Sequence, residues 1–334
     1  MPYKDIITDI KKGNIKPVYF LYGDESFFID LISEYIEDNV LNETEKEFNQ
    51  MVLYGRDTSI DDIISHAKRF PMMSERQVII IKEAQDLSRT IDQLETYLDN
   101  IVPTTVLVFN YKYKSPDKRK AFYKKLVKQG VVFESKPLYD NQVPAWISQY
   151  LKDYNYTIEP KASLMLVEFL GTQLTKICNE LHKLMIILPK GSTITPADIE
   201  NNIGISKDFN NFELRKAIGT KNVVKANQII NYFSNNPNQN PSFMTIALLN
   251  SFFTQLLQLH SLPNKNDKKA IVSLLKVNPY FVSEYIQAAQ LYPMKKVSYI
   301  IGLLRETDLK LKGVGAKDTS QKDIMRDLIF KIMH

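Results

Sequence analysis

The segment Pro17-Val-Tyr-Phe-Leu-Tyr-Gly-Asp-Glu-Ser-Phe-Phe-Ile-Asp30 runs an apolar stretch into a glycine-led turn and then into a helical pattern. This is the strand, turn and helix of a phosphate-binding loop, the opening unit of a parallel α/β sheet. A working loop reads G-x-x-x-x-G-K-[S/T], with glycine amides around the phosphates, a lysine reaching them and a hydroxyl on Mg²⁺. Counting from Gly23, the second glycine position holds Phe28, the lysine position Ile29 and the hydroxyl position Asp30. Phe28 crowds the backbone approach, Ile29 removes the cation, and Asp30 adds negative charge beside a polyanion. The pattern keeps the fold signal and loses the phosphate chemistry.

A second apolar run, Val78-Ile-Ile-Ile-Lys-Glu-Ala84, loses its chemistry in the same direction. A strand of this class ends in the acidic residue that holds Mg²⁺. Lys82 stands at that position, with Glu83 after it, and a cation does not ligate a cation. Taken singly, either site reads as an ordinary βα unit that never bound nucleotide. Together they point to a former NTPase module that now serves as a framework.

The chain has 334 residues, of which 44% are hydrophobic and 24% charged, enough for two or three globular domains. No run approaches the roughly 18 apolar residues of a membrane span. The start, Met1-Pro-Tyr-Lys-Asp-Ile, lacks a signal peptide's apolar core, so a cytoplasmic protein with no membrane partner is expected. Cys178 is the sole cysteine, which excludes an intrachain disulfide and a cysteine zinc cluster. It lies among Leu174, Ile177 and Leu181 at helical spacing and reads as a buried structural thiol.

The net charge of +5 conceals an asymmetry: residues 1–100 carry 11 Lys/Arg against 20 Asp/Glu, so the remainder is strongly basic. A basic rear portion suits nucleic acid or another acidic partner, or simply a solvated surface. The densest stretch, Lys112 to Lys136, places nine Lys/Arg among Tyr111, Tyr113, Phe122 and Tyr123, against Asp117 and Glu134. That mixture suits gripping a phosphate backbone and stacking a base. It reads equally as one amphipathic helix with solvated lysines.

The first 140 residues alternate strand and helix signals, which predicts a parallel sheet with helices on its faces. Strands are expected at Val18–Tyr22, Phe48–Tyr54, Gln77–Ile81, Thr105–Phe109 and Val131–Glu134, with helices between them. From about Asn141 the strand signals stop and the chain reads as helices to His334. A small bundle is expected near Val143–Tyr154, Pro160–Leu170, Gln173–Leu188 and Pro196–Asn202, the last with Thr195 as N-cap and Pro196 in its first turn. A polar link over 204–211 leads to a final helical segment, interrupted by a polar loop at Ser234–Pro241.

No catalytic constellation stands out. His66, His182, His260 and His334 are dispersed, with no H-E-x-x-H and no acidic cluster at metal-ligand spacing, so no metal and no cofactor is expected. There is no G-x-S-x-G elbow. The pair Asp61-Asp62 reads as a solvated helix face. Binding is favoured over catalysis.

A disarmed nucleotide module followed by two helical segments resembles the plan of AAA+ clamp-loader subunits, and more specifically the delta-subunit family of the bacterial DNA polymerase III clamp loader. The resemblance spans nearly the whole chain. It rests on Val18 to Ser26, on Phe70-Pro-Met-Met-Ser-Glu-Arg-Gln-Val-Ile-Ile-Ile81 and on Thr105-Val-Leu-Val-Phe109 with the basic stretch after it. It continues through Asn179-Glu-Leu-His-Lys-Leu184, Asn211-Phe-Glu-Leu-Arg-Lys-Ala217 and Leu304-Arg-Glu-Thr-Asp-Leu-Lys-Leu-Lys-Gly313.

The resemblance implies a degenerate AAA+, RecA-like sheet domain at 1–140, a helical lid at 141–207 and a C-terminal helical collar at 208–334. It implies a chain without catalysis of its own that works within the polymerase III holoenzyme. Such a chain binds the ring-shaped sliding clamp (the beta subunit) and holds one interface open while neighbouring subunits hydrolyse ATP. Its implied partners are that clamp, the gamma/tau and delta-prime subunits, and primed DNA. The family's clamp-touching tip is an apolar pair just before the Ser-x-Arg-Gln strand entry, here Met72 and Met73, with Phe70 and Pro71 shaping the same tip. This sequence departs from the bulkier Leu/Phe-like pair, and both methionines can also be read as packing inward. For DNA, the resemblance points to Lys112, Lys114, Lys118, Arg119 and Lys120. Two other readings stay open at this level: an active NTPase with an unorthodox loop, and a stand-alone helical nucleic-acid-binding protein.

Overall fold

The apolar runs become strands. A computed structural model of the chain describes residues 2–315 and 319–334. In it Val18–Gly23 (β1), Gln50–Tyr54 (β2), Gln77–Lys82 (β3), Thr105–Lys112 (β4) and Val131–Ser135 (β5) form one parallel sheet in the order β2-β3-β4-β1-β5. β1 is buried throughout and β4 nearly so, which is why both read as unbroken apolar runs rather than alternating ones.

Helices Tyr3–Lys11 (α1), Ser26–Asn39 (α2), Glu43–Asn49 (α3), Ile60–Ala67 (α4), Glu95–Leu98 (α5) and Ala121–Gln129 (α6) complete this part. Ile60 and Ile63 of α4 and Phe122 and Leu126 of α6 pack with Phe20, Tyr22 and Phe109 of the sheet. α2 buries Ile29, Ile32 and Ile36 and packs on the sheet from β1 and β3 to β4 and β5.

Three local expectations change here. Phe48 and Asn49 are not the start of β2 but the last turn of α3. Asn42 accepts from the Glu45 amide while the Glu45 side chain accepts from Asn42, a reciprocal cap that starts a helix and carries it to Asn49. Asp61-Asp62 is not simply a solvated pair, because Asp62 closes the same kind of cap with Ser59 at the start of α4. The basic stretch is not one helix either: β4 runs on to Lys112, and only Ala121–Gln129 is helical.

The chain divides into two compact units between Pro137 and Leu138. In the second, Val143–Asp153 (α7), Pro160–Leu170 (α8), Leu174–Ile187 (α9) and Pro196–Ile203 (α10) lie where the periodicity puts them. Thr195 and Asp198 form a reciprocal cap at the start of α10, with Pro196 inside it. Strand structure does recur: Thr157–Ile158 (β6) and Thr193–Ile194 (β7) make a parallel two-residue ladder, too short to show as alternation.

The remaining helices are Asn211–Gly219 (α11), Val223–Asn235 (α12), Ser242–Leu259 (α13), Lys268–Leu275 (α14), Val282–Leu291 (α15), Met294–Leu311 (α16) and Gln321–Met333 (α17). Against the expectation that no run comes near a membrane span, α13 is long and apolar enough to cross one. One side of it is buried in the protein instead, while Phe243 and Met244 at its start stay exposed. Ile246, Leu249, Phe252, Phe253, Leu256 and Leu259 are buried in the helical core, where α13 packs against α16.

Candidate functional site

β1 lies between β4 and β5, while the chain leaving it travels to β2 at the far edge. Ligands of open α/β sheets bind beyond the strand ends at such a reversal of order. Here that place is filled by the protein itself. Gly23 has φ +128, and a Cβ there would sit 2.1 Å from the Ser135 carbonyl oxygen, so the glycine is fixed by the close approach of β5. The Glu25 carboxylate accepts the Phe27 N–H at 3.0 Å, occupying the amide end of α2 where a phosphate would otherwise bind. Burial pushes the Glu25 carboxyl up, against that hydrogen bond.

The three replaced loop positions are equally committed. Phe28 is buried and stacks on Tyr3 of α1 with ring centroids 4.8 Å apart, and Ile29 is fully enclosed. Asp30 receives the Lys112 ammonium at 2.9 Å, and the same ammonium lies 3.2 Å from Glu83. Lys82, at the end of β3, pairs with Glu37 at 3.2 Å. Burial lowers the Lys112 pKa, but its bonds to Asp30 and Glu83 outweigh this and raise it overall. Burial likewise pushes Glu83 up, and the Gln85 hydrogen bond with the Lys112 charge pulls it below the usual carboxylate range. A lysine of β4 therefore stands between Asp30, at the hydroxyl position of the loop motif, and Glu83, just after the end of β3. The residues present do not fit a magnesium triphosphate.

At the other end of β3 the surface is apolar. Phe70 and Met72 are 82% and 62% exposed, Met73 is fully exposed, and Pro71 is half-buried. The methionines do not pack inward. The loop that carries them is nevertheless anchored on both sides. Gln77 donates to the Arg69 carbonyl at 2.5 Å and to Thr105 Oγ1 at 2.8 Å. Asn49 accepts the Met72 N–H at 2.6 Å and donates to the Met72 carbonyl at 2.9 Å. Ser74 Oγ donates to Glu45 Oε1 at 2.9 Å. Met73 itself has φ +53, a left-handed conformation that costs a non-glycine residue about 1 kcal/mol or more.

The cationic candidates find internal partners. Lys112 is held as above, and Lys114 donates to the Gln85 carbonyl and to Ser88 Oγ at 3.2 and 3.0 Å. Lys118 pairs with Glu134 at 3.1 Å and lies over the Tyr22 ring. Arg119 grips Asp117 through two nitrogens, and Lys120 pairs with Asp92. Elsewhere, Cys178 is buried, and burial pushes its thiol up to about 12. His182 bonds the Tyr150 hydroxyl and His260 the Tyr292 carbonyl, each at 2.8 Å. Among the described residues no group of three His, Cys, Asp or Glu is placed to hold a metal.

A five-stranded parallel sheet whose phosphate-loop position is occupied by its own side chains, followed by a helical unit, defines a P-loop-like α/β module joined to an all-helical part. Residues 19–136 match the family model described as DNA polymerase III, delta subunit, and residues 208–325 match the model for the C-terminal domain of that subunit. The chain belongs to the DNA polymerase III delta subunit family. It is 28% identical over 324 residues to DNA polymerase III subunit delta of Bacillus subtilis, covering 94% of this chain and 92% of that one. Among solved structures, the Bacillus subtilis DNA clamp loader delta protein superposes with a TM-score of 0.55 at 26% identity over 99% of both chains. The Thermotoga maritima RuvB branch migration motor aligns over 86% of each chain at 13% identity and a TM-score of 0.35, too loose to support a functional comparison.

Sequence reasoning missed Phe48, Asn49 and Glu45. The last two act across 23 and 29 positions of sequence, where no local pattern reaches. One signal was available: Asn42 followed three residues later by Glu45 is a helix-start signature, and it moves Phe48 and Asn49 out of the strand.

Proposed function

We propose that this chain is the non-hydrolysing clamp-engaging subunit of a polymerase III clamp loader. It binds the sliding clamp through Met72 and Met73, with Phe70 and Pro71 alongside, and holds one ring interface open for loading onto primed DNA. Gamma/tau and delta-prime subunits supply the ATP chemistry, and the assembly works in the cytoplasm. Residues 141–207 serve as the lid and 208–334 as the collar that joins the neighbouring subunits, a division supported by the start of the C-terminal family match at residue 208. DNA contact by Lys112, Lys114, Lys118, Arg119 and Lys120 is a minor part of this reading, because their charges are already partnered.

The observation that carries the reading is an apolar tip that is exposed and yet braced. Methionine's flexible, polarizable side chain suits an apolar pocket on a partner. Burying two of them there contributes about 3–5 kcal/mol before ordering costs. Met72→Ala with Met73→Ala removes most of that side-chain area, so clamp affinity is expected to fall roughly 30- to 100-fold, or about 2–3 kcal/mol. Surface plasmon resonance against the immobilised clamp reads this, with the thermal melt as a check that the fold is intact. Unchanged affinity would remove the tip from the interface.

A further inference from the structure

We infer that the docking surface is built from two elements rather than one: α3 contributes Phe48 as a further apolar contact, and Asn49 is the positioning residue that sets the tip's shape. This rests on the reading of Met72 and Met73 as clamp-engaging and supplies that site's second half.

The starting point is the chain before β2. The Asn42–Glu45 cap nucleates α3, and the helix runs to Asn49, leaving the Phe48 ring 66% exposed. Aromatic side chains are costly to leave in water and are enriched where interfaces draw most of their energy. Phe48 is adjacent in sequence to Asn49, whose nearly buried amide holds both the N–H and the carbonyl of Met72. Phe48 thus stands one residue removed from the tip: its neighbour in α3 is the residue that holds Met72.

The second part concerns shape. Met73 sits in a left-handed conformation that an unrestrained methionine rarely adopts. Its neighbours on both sides are tied to α3: Met72 to Asn49, and Ser74 to Glu45, whose other oxygen closes the helix cap. The helix therefore fixes the loop on each side of the strained residue. A tip held in one shape before docking loses little freedom on docking, so more of its burial appears as affinity. The occupant that these exposed apolar side chains suit is an apolar pocket on the sliding clamp, with room for an aromatic ring as well as two methionines.

The test uses the full chain and the purified sliding clamp. Phe48→Ala is expected to weaken binding about tenfold, mainly through faster dissociation. Asn49→Ala is expected to weaken it by a similar factor and to speed hydrogen exchange at the Met72 amide, a readout that a general loss of stability does not localise. Should Asn49→Ala compromise folding, Ser74→Ala releases the opposite side of Met73, with an expected loss of about threefold. If Phe48→Ala and the positioning variants bind within about twofold of the unaltered chain while the Met72/Met73 double variant is weakened, this inference is overturned and the tip reading stands. If the double variant binds normally, the tip reading fails and this inference with it.

Discussion

At the C-terminal end of β3, Lys82 is tied to Glu37, and Glu83 shares the Lys112 ammonium with Asp30. At its N-terminal end, six residues and about 20 Å away, Gln77 and Asn49 hold a loop whose side chains Phe70, Met72 and Met73 stand in solvent. One end turns its polar groups on itself and keeps nothing for a ligand. The other is held by hydrogen bonds to its backbone and to Ser74, and leaves its apolar side chains uncovered. The difference separates a rim whose phosphate-loop position is closed by internal ion pairs from an opposite rim that keeps an exposed apolar surface.

The strongest attempt to break this contrast is to re-arm the closed end. Phe28→Gly, Ile29→Lys and Asp30→Thr together restore the motif, yet Ile29 is wholly enclosed and an unpaired lysine there has no partner. Burying that charge, with a glycine placed in the helix, is expected to cost at least about 4 kcal/mol in urea unfolding. ATP·Mg binding by calorimetry is expected to remain absent, because the Glu25 carboxylate still covers the amide end of α2. A folded triple variant that binds ATP·Mg tightly would show that three substitutions alone had closed the site.

A smaller effect is expected from Lys112→Met, which keeps the aliphatic stem and removes the ammonium. Asp30 and Glu83 are partly exposed, so solvent screening limits the loss to about 1–2 kcal/mol near neutral pH. The pH dependence has a definite sign. Glu83 is held below its ordinary range in the folded chain, so its stabilising contribution is present above its unfolded value and is lost as pH falls through the folded one. Lys112 is raised, so its contribution persists through neutral pH and disappears only at strongly alkaline pH. The stability difference between Lys112→Met and the unaltered chain should therefore be widest near neutrality and narrow in acid. A difference that stays constant to low pH would mean the ammonium acts by packing alone.

Much of this fold is legible in the sequence because its signals are local. Apolar runs give the five strands, and Thr195-Pro196 gives the start of α10 to the residue. What escapes is either short or long-range. The β6–β7 ladder has two residues a side, and the segment from Ala84 to Leu94 forms 3-10 turns rather than the helix a βα repeat predicts. The departure from the phosphate-loop pattern is legible in Phe28, Ile29, Asp30 and Lys82, but not the ion pairs that occupy the position, since Lys112 is 82 positions from Asp30. The outward direction of Met72 and Met73 was equally hidden. Their spacing suits either direction, and the deciding contacts come from Asn49 and Glu45.

The smallest expected effect concerns DNA, and it extends the contrast along the basic stretch. Lys118, Arg119 and Lys120 each face a carboxylate, whereas Lys124 and Lys128 on α6 are exposed and make no ion pair among the described residues. A cation already paired releases few counterions when a phosphate approaches, because it must first give up its partner. Reversing Lys118, Arg119 and Lys120 to Glu in the assembled loader is therefore expected to change the log–log salt slope of primed-DNA binding by less than about one. Reversing only Lys124 and Lys128 should change it by at least as much, although fewer charges are altered. A slope that drops by about three in the first variant would show that the internal pairs open readily in the complex. The closed end of the sheet would then be the more adaptable of the two.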